Sequence, residues 1–127
     1  MADILIIDDD PDILVLCRSF LEKEGHAVRT ETDGRTGVKA FRANPADLVL
    51  TDIFMPNEDG LEVIKQLRSL HPEVPIVAMS GGGRIVSVGA AALKAAKKTG
   101  AALTLKKPFT SHELVEAVTR VLPGPDA

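Results

Sequence analysis

The 127-residue chain contains no tryptophan, no tyrosine and a single cysteine, Cys17. One cysteine excludes an internal disulfide framework and is typical of a protein from a reducing compartment. No apolar run approaches the roughly 18 residues of a membrane-spanning helix. The N-terminal residues Met1-Ala2-Asp3 also lack the basic start and apolar stretch of a signal peptide. The sequence therefore predicts a cytoplasmic protein with no membrane partner.

The chain also lacks an excess of positive charge, because its formal net charge is −3. We therefore expect no direct nucleic-acid partner that depends on bulk charge. Apolar residues make up 45% of the chain and charged residues 26%, which is typical of a folded globular protein. The length suits one core, so we expect one domain at residues 3–122 and a short C-terminal tail at 123–127.

Short apolar runs alternate five times with longer helix-like segments. The runs are Ile4–Ile7, Ala27–Thr30, Leu48–Leu50, Pro75–Met79 and Ala102–Leu105. Parallel strands need crossover connections, so this alternation predicts an α/β fold with a doubly wound, parallel, five-stranded sheet between helices. The second run is only half apolar and predicts an edge strand. Ligands of such sheets bind at the carboxyl ends of the strands.

Several helix boundaries carry local signals. Asp10 followed by Pro11 predicts a capped first helix, and Gly25 predicts where that helix stops. The buried face of this helix is predicted to consist of Ile13, Leu16, Cys17, Phe20 and Leu21, which follow helical spacing. A third helix is expected at about Leu61–Leu70, and Thr110 with Glu113 predicts a capping box before the last helix.

Charged and hydroxyl side chains follow the predicted strands. The first strand runs into Asp8-Asp9-Asp10, the third ends at Thr51-Asp52, the fourth at Ser80 and the fifth at Lys106-Lys107-Pro108. Asp10 is explained as a helix cap, but capping does not explain Asp8 and Asp9. A hard divalent cation such as Mg2+ relieves the repulsion among carboxylates, and with a nearby lysine it suits a phosphoryl group. Asp52 is the best candidate nucleophile for an aspartyl phosphate, because the loop at 55–60 can expose it.

Four motifs in order resemble one known family. Ile6-Ile7-Asp8-Asp9-Asp10, Asp52-Ile53-Phe54-Met55-Pro56 with Asp59-Gly60, Ser80-Gly81 and Lys107-Pro108-Phe109 are similar to the receiver domain of two-component response regulators. The resemblance covers roughly Asp3 to Leu122. It implies the CheY-like, flavodoxin-like (βα)5 fold with strand order 2-1-3-4-5.

The resemblance also implies roles for individual residues. Asp52 would accept a phosphoryl group from a sensor histidine kinase or a histidine phosphotransfer protein. Asp9 and Asp52 would bind Mg2+ directly, Asp8 through water, and Phe54 through its backbone carbonyl. Ser80 and the Gly81 N–H would hydrogen-bond the phosphoryl group. Lys107 would pair with it and precede a cis bond to Pro108, whereas Lys106 would be an exposed neighbour.

Three features depart from the family pattern or leave its meaning open. Thr104 stands where the family usually has an aromatic residue, so the signal must be reported differently. The stretch between Ser80 and Lys107 is longer than usual around Gly81–Arg84, which we interpret as a tolerated surface insertion rather than a partner-facing loop. Lys94, Lys97 and Lys98 are interpreted as a solvated helix face, with partner docking as the alternative.

The favoured function is therefore a single-domain receiver that relays a signal by conformational change after phosphorylation of Asp52. Such a protein catalyses only its own phosphorylation and dephosphorylation, so we do not expect a turnover enzyme. The alternatives are a receiver-fold interaction module that acts without phosphorylation and a receiver fragment of a larger regulator. A Mg2+-dependent phosphohydrolase is disfavoured, because it needs an aspartate where Phe54 stands.

Overall fold

The computed structural model describes residues 2–55, 58–80 and 86–122. The strands are β1 (Asp3–Ile7), β2 (Ala27–Glu31), β3 (Leu48–Asp52), β4 (Phe54–Met55), β5 (Glu58–Asp59), β6 (Ile76–Ser80) and β7 (Leu103–Lys106). The helices are α1 (Pro11–Lys23), α2 (Gly34–Ala43), α3 (Gly60–Leu70), α4 (Val86–Thr99) and α5 (Ser111–Val121). Every predicted strand and the predicted α/β alternation are confirmed, with ends shifted by one or two residues.

Five of the strands form one parallel sheet in the order β2-β1-β3-β6-β7. This is the predicted order 2-1-3-4-5, because β6 and β7 are the fourth and fifth strands of the main sheet. The predicted edge position of β2 is also confirmed. The strand order reverses between β1 and β3, so a crevice opens beyond the carboxyl ends of these two neighbouring strands.

Helices cover both faces of the sheet and bury two separate apolar cores. One core lies between the sheet and α2, α3 and α4, and it includes Leu5, Ile7 and Phe41. The other lies between the sheet and α1 and α5, and it includes Ile4, Ile6 and Leu114. Alternate residues of β1 therefore serve opposite cores, which requires a strand that is apolar on both sides.

The predicted helix caps are present. The Asp10 carboxylate accepts a hydrogen bond from the Asp12 N–H at 2.9 Å, and Pro11 opens α1. The Thr110 hydroxyl and the Glu113 carboxylate exchange hydrogen bonds with each other's backbone N–H at 3.0 and 2.9 Å. Gly25 has a φ of +92° just after α1, a conformation that glycine adopts without strain. These caps fix where α1 and α5 begin, next to the carboxyl ends of β1 and β7.

The predicted buried face of α1 is wrong at one position. Leu16 is 43% exposed, and Leu14 is buried in its place beside Cys17 and Leu21. Neighbouring residues of a helix point about 100° apart, so Leu16 falls outside the arc centred on Cys17. Apolar spacing alone does not show whether the set of apolar residues with Leu16 or the set with Leu14 faces the core.

The segment after β3 is more ordered than the expected loop at 55–60. Phe54–Met55 and Glu58–Asp59 pair as a short antiparallel hairpin, and α3 begins at Gly60. A Cβ atom on Gly60 would lie 2.3 Å from the Ile53 Cα atom, so only glycine fits there. Residues 56–57 and the expected insertion at 81–84 lie outside the described residues. Within the described part of the chain, no helix is long and apolar enough to cross a membrane.

Candidate functional site

The predicted site residues come together at the carboxyl edge of the sheet. Asp8 directly follows β1, Asp52 ends β3, Ser80 ends β6 and Lys107 directly follows β7. Asp8 and Ser80 are completely buried, and Asp52 is 4% exposed. Three of these residues lie on adjacent strands at the point where the strand order reverses, so the fold itself gathers them.

Lys107 bridges two buried carboxylates. Its Nζ atom lies 2.6 Å from Asp8 Oδ2 and 3.1 Å from Asp52 Oδ2, and its side chain is 14% exposed. The Lys107 N–H donates to the Ser80 carbonyl at 2.7 Å, and the bond to Pro108 is cis as predicted. Lys106 is exposed. The structure thus places Lys107, and not Lys106, against the carboxylates.

Burial and hydrogen bonding act on the Asp52 carboxylate in opposite directions. Burial raises the pKa of Asp52, and the charge of Asp8 adds to this effect. A hydrogen bond from the Phe54 N–H to Oδ1, at 2.9 Å, and the Lys107 ammonium group lower the pKa, but they do not cancel the rise. The ionised form of Asp52 is therefore less favoured in this pocket than in water, because its charge is poorly solvated.

The same pocket keeps Lys107 charged. Burial alone would lower the pKa of Lys107, but the hydrogen bond to Asp8 and the charges of Asp52 and Asp8 raise it above its ordinary value. A single ammonium group thus faces several carboxylates. The site consequently keeps a negative balance that a cation would offset.

Three carboxylates are close enough to share one metal ion. One carboxylate oxygen each of Asp8, Asp9 and Asp52 lies within 4.8 Å of the other two. Asp8 Oδ1 already accepts from the Asp10 N–H at 2.9 Å and Oδ2 from Lys107, whereas Asp9 is exposed. Such a set of oxygen ligands fits a hard cation such as Mg2+. Both Asp8 oxygens thus already accept hydrogen bonds from the protein, and binding of the ion by Asp8 through water stays a prediction.

Sequence reasoning missed two contacts of the site. The ion pair between Lys107 and Asp8 joins residues that are 99 positions apart, and the Phe54 N–H holds Asp52 from two positions along the chain. The first contact has no local sequence signal, because only the sheet order creates it. The second contact is a short turn in which an aspartate side chain accepts from the N–H two residues later. An aspartate in the sequence allows such a turn but does not require it.

The position of the missing aromatic residue is visible on β7. Thr104 is half-buried and lies beside Ala78 of β6 in the sheet register. Two small side chains, Ala78 and Thr104, are therefore neighbours across these strands, and Ala78 lies two residues before Ser80 on β6. The expected N–H contact from Gly81 lies outside the described residues.

Comparisons with known proteins point to one family. The family model described as the response regulator receiver domain matches residues 4–119. The chain is 38% identical over 122 residues to the nitrogen assimilation regulatory protein NtrX of Azorhizobium caulinodans, covering 94% of this chain and 26% of that protein. It is 36% identical over 121 residues to the DNA-binding transcriptional regulator NtrC of Azospirillum brasilense, covering 95% of this chain and 24% of that protein. The chain thus spans about a quarter of the length of these two relatives.

Solved structures show the same architecture. The receiver domain of NtrX from Brucella abortus superposes with a TM-score of 0.85 at 34% identity, covering 94% of this chain and 98% of that one. The chemotaxis response regulator CheY4 of Vibrio cholerae superposes with a TM-score of 0.84 at 28% identity, covering 96% and 99%. With this fold, these motifs and this match, the chain belongs to the response regulator receiver domain family of two-component systems.

Proposed function

We propose that this receiver accepts a phosphoryl group on Asp52 from the phosphohistidine of a sensor kinase or a histidine phosphotransfer protein. The observation that carries the proposal is the Asp52 carboxylate at the sheet edge, 3.1 Å from the Lys107 ammonium group and beside Asp8 and Asp9. No separate substrate is turned over. The protein catalyses only its own phosphorylation and the later hydrolysis.

The transfer step uses groups that the fold has already positioned. An oxygen of Asp52 attacks phosphorus, the P–N bond of the phosphohistidine breaks, and its electron pair returns to the imidazole nitrogen. Lys107 offsets negative charge on the phosphoryl oxygens, and the hydroxyl of Ser80, the last residue of β6, donates to one of them. Since the Phe54 N–H fixes Oδ1 of Asp52, the carboxylate stays oriented during the attack.

Asp8, Asp9 and Asp52 are the residues that would hold Mg2+, with the Phe54 carbonyl as a further ligand. When bound, this ion supplies charge neutralisation for the carboxylates and for the incoming phosphoryl group. The three carboxylates of this chain provide its oxygen ligands. Lys107 pairs with Oδ2 of Asp8 and Oδ2 of Asp52, so its ammonium group is within reach of a phosphoryl group bonded to Asp52.

Exposed apolar side chains near the site support a protein as phosphodonor. Val15 is 70% exposed and Leu16 43% exposed on α1, which begins directly after Asp8-Asp9-Asp10. The Phe54 side chain, two residues past Asp52, is 43% exposed. Apolar surface at this end of the molecule favours a docking partner over a small solute. This surface therefore supports a kinase or phosphotransfer protein as the donor. We propose that both proteins are cytoplasmic.

Two versions of this function differ in the step after phosphorylation. In the first, the receiver acts as a signalling module on its own and moves a separate target. In the second, it is the receiver part of a larger regulator, which the length of the relatives NtrX and NtrC favours. A module that never becomes phosphorylated is disfavoured, because such a scaffold gains nothing from burying Asp8 and Asp52 together.

The decisive experiment is phosphorylation by a small phosphodonor such as acetyl phosphate, followed by mass spectrometry of the intact protein. We expect one added phosphoryl group with Mg2+ and none after chelation. Asp52→Asn should abolish the addition, whereas Asp59→Asn, which alters an exposed helix cap in the same region, should keep it. Modification that persists in Asp52→Asn contradicts the site. Steady phosphate release from varied monoesters would instead indicate a phosphohydrolase.

A further inference from the structure

Basic side chains are concentrated in one layer of helices. Helices α2, α3 and α4 carry Arg35, Lys39, Arg42, Lys65, Arg68, Lys94, Lys97 and Lys98, with Glu62 as their one acidic residue. Helices α1 and α5, on the other face of the sheet, carry Asp12, Arg18, Glu22, Lys23, Glu113, Glu116 and Arg120. A protein with a net charge of −3 therefore presents one strongly positive face.

Most of this positive charge is available to a partner. Six of the basic residues are exposed and take part in no ion pair among the residues that the structure describes: Lys39, Arg42, Lys65, Lys94, Lys97 and Lys98. Arg68 differs from them, because its guanidinium group is half-buried and donates to backbone carbonyls. The exposed charges thus have no internal role in the described fold.

A groove between α2 and α3 gives this positive face a specific shape. The groove has a volume of about 370 Å³ and lies within the basic layer. Its α2 side carries Lys39 and Arg42, and its α3 side carries two acidic residues and Gln66. Val38 and Val63, which also line it, are 5% and 6% exposed and supply an apolar base. The lining therefore combines cations, carboxylates, an amide and an apolar surface.

We propose that the α2–α3 groove binds an extended acidic peptide segment of a partner protein. Its carboxylates would pair with Lys39 and Arg42, and its backbone amides would meet Gln66 and Glu62. One apolar side chain of the segment would contact Val38 and Val63. The lysines of α4 would attract the segment at longer range without contacting it.

The composition of the groove favours a peptide over other polyanions. The Asp59 and Glu62 carboxylates on the α3 side would repel a DNA backbone or an anionic membrane, which present negative charge over their whole surface. The acidic side chains of a peptide meet the same repulsion, but its backbone N–H groups can donate to these carboxylates while its side chains pair with Lys39 and Arg42 on the α2 side. On α2 and α3, the two helices that form the groove, Leu70 is the one large apolar side chain described as exposed, at 39%, and it lies at the end of α3. A membrane-inserting surface built on these two helices needs more apolar contacts than that.

The basic residues of the proposed groove are separate from the residues that carry the phosphorylation chemistry. Its residues Lys39 and Arg42 lie on α2, whereas the carboxylates and Lys107 lie beyond β1, β3 and β7. Loss of peptide binding should therefore leave phosphorylation of Asp52 unchanged. Failure of the groove proposal and failure of the proposed function thus give different results.

The test uses the whole chain and a short fluorescein-labelled peptide of aspartate and glutamate with a central leucine, measured by fluorescence anisotropy. Lys39→Glu combined with Arg42→Glu should weaken binding roughly tenfold or more, because two attractive contacts become repulsive. The matched control combines Lys94→Glu with Lys97→Glu, which changes the net charge equally outside the groove. We expect roughly threefold weakening or less in this control, because Lys94 and Lys97 do not line the groove and salt screens exposed charges that make no direct contact.

Further arms decide between specific and general attraction. Equal losses in both double variants would overturn the groove and indicate attraction to the whole basic layer. Tighter binding of duplex DNA or of phosphatidylserine vesicles than of the peptide would overturn the choice of partner. If the groove variant does not fold, amide chemical shifts of the unmodified protein with the peptide decide instead. Shifts confined to α2 and α3 support the proposal, and shifts elsewhere or none contradict it.

Discussion

Replacing Asp52 by asparagine is expected to stabilise the fold when no divalent cation is present. The Asp52 carboxylate is 4% exposed, and burial is the main reason why its pKa is raised. Asparagine has nearly the same shape and keeps an oxygen that accepts the hydrogen bond from the Phe54 N–H. The substitution therefore removes the charge and little else.

The attraction and repulsion from the charges around Asp52 nearly cancel. The cost of desolvating its carboxylate therefore decides whether the substitution stabilises or destabilises the fold. Attraction to Lys107 at 3.1 Å amounts to about 5 kcal/mol at an effective dielectric constant of about 20. Repulsion from Asp8 within 4.8 Å amounts to about 3.5 kcal/mol on the same scale, and the exposed Asp9 adds about 1 kcal/mol. The remaining attraction is smaller than the several kcal/mol that burial costs an ion. We expect Asp52→Asn to raise the free energy of unfolding by about 1–3 kcal/mol.

Urea unfolding followed by circular dichroism at neutral pH, with a chelator present, measures this difference. Tryptophan fluorescence does not serve as the probe, because the chain has no tryptophan. Adding Mg2+ should stabilise the unmodified protein more than the variant, which has lost a ligand, so the gap should narrow. Asp9→Asn is the matched control, and we expect a smaller effect because Asp9 is exposed.

The pH dependence has a definite sign. Since the pKa of Asp52 is raised in the folded state, ionisation of this group destabilises the fold above that pKa. The advantage of Asp52→Asn should shrink as the pH falls through the raised pKa and vanish below the ordinary value of 3.8. A variant less stable than the unmodified protein in chelator, or a gap that widens toward low pH, would refute the reasoning.

Two further predictions concern cationic residues. Lys107→Ala should leave Mg2+ binding largely intact but uncouple phosphorylation from conformational change, and an unchanged spectroscopic response to phosphorylation would contradict this role. Arg68 donates to the Gly100 carbonyl at 2.6 and 3.1 Å and to the Pro72 and Val74 carbonyls, so Arg68→Ala should lower the free energy of unfolding by about 2–3 kcal/mol. Arg68→Lys should recover little, because one ammonium group does not reproduce the fork of a guanidinium group. If urea unfolding shows that Arg68→Ala lowers the free energy of unfolding by less than about 0.5 kcal/mol, as a neutral surface substitution would, the predicted role of Arg68 is contradicted.

The fold was predictable because its signals are local and repeated. Each central strand is a short run of Val, Ile and Leu, and the caps at Asp10 and Thr110 mark helix starts within a residue. The exposed position of Leu16 was not predictable in the same way. Leu14 and Leu16 are equally apolar, and only the direction from which the sheet approaches α1 decides which of them is buried.

The sequence motifs made it possible to predict which residues belong to the site. The contacts that depend on the order of strands in the sheet could not be predicted in this way. Position after a strand indicated that Asp8, Asp52 and Lys107 share one edge. That Lys107 bonds Asp8 at 2.6 Å, closer than Asp52 at 3.1 Å, depends on the distance between β1 and β7 across the sheet. Sequence spacing contains no measure of that distance, because 99 residues separate the two partners.

The net charge of the chain did not predict how charge is distributed over the surface, again because the fold decides which residues lie together. A total of −3 excludes general attraction to polyanions, yet it adds together residues that the fold then separates. Asp8, Asp9, Asp10 and Asp52 gather at the carboxyl edge of the sheet, while the basic residues of α2, α3 and α4 gather on one side. Under the two proposals, an incoming phosphoryl group meets the acidic edge, where a cation is needed, and an acidic peptide meets the basic layer. One sheet would thus direct two negatively charged partners to different surfaces of the molecule.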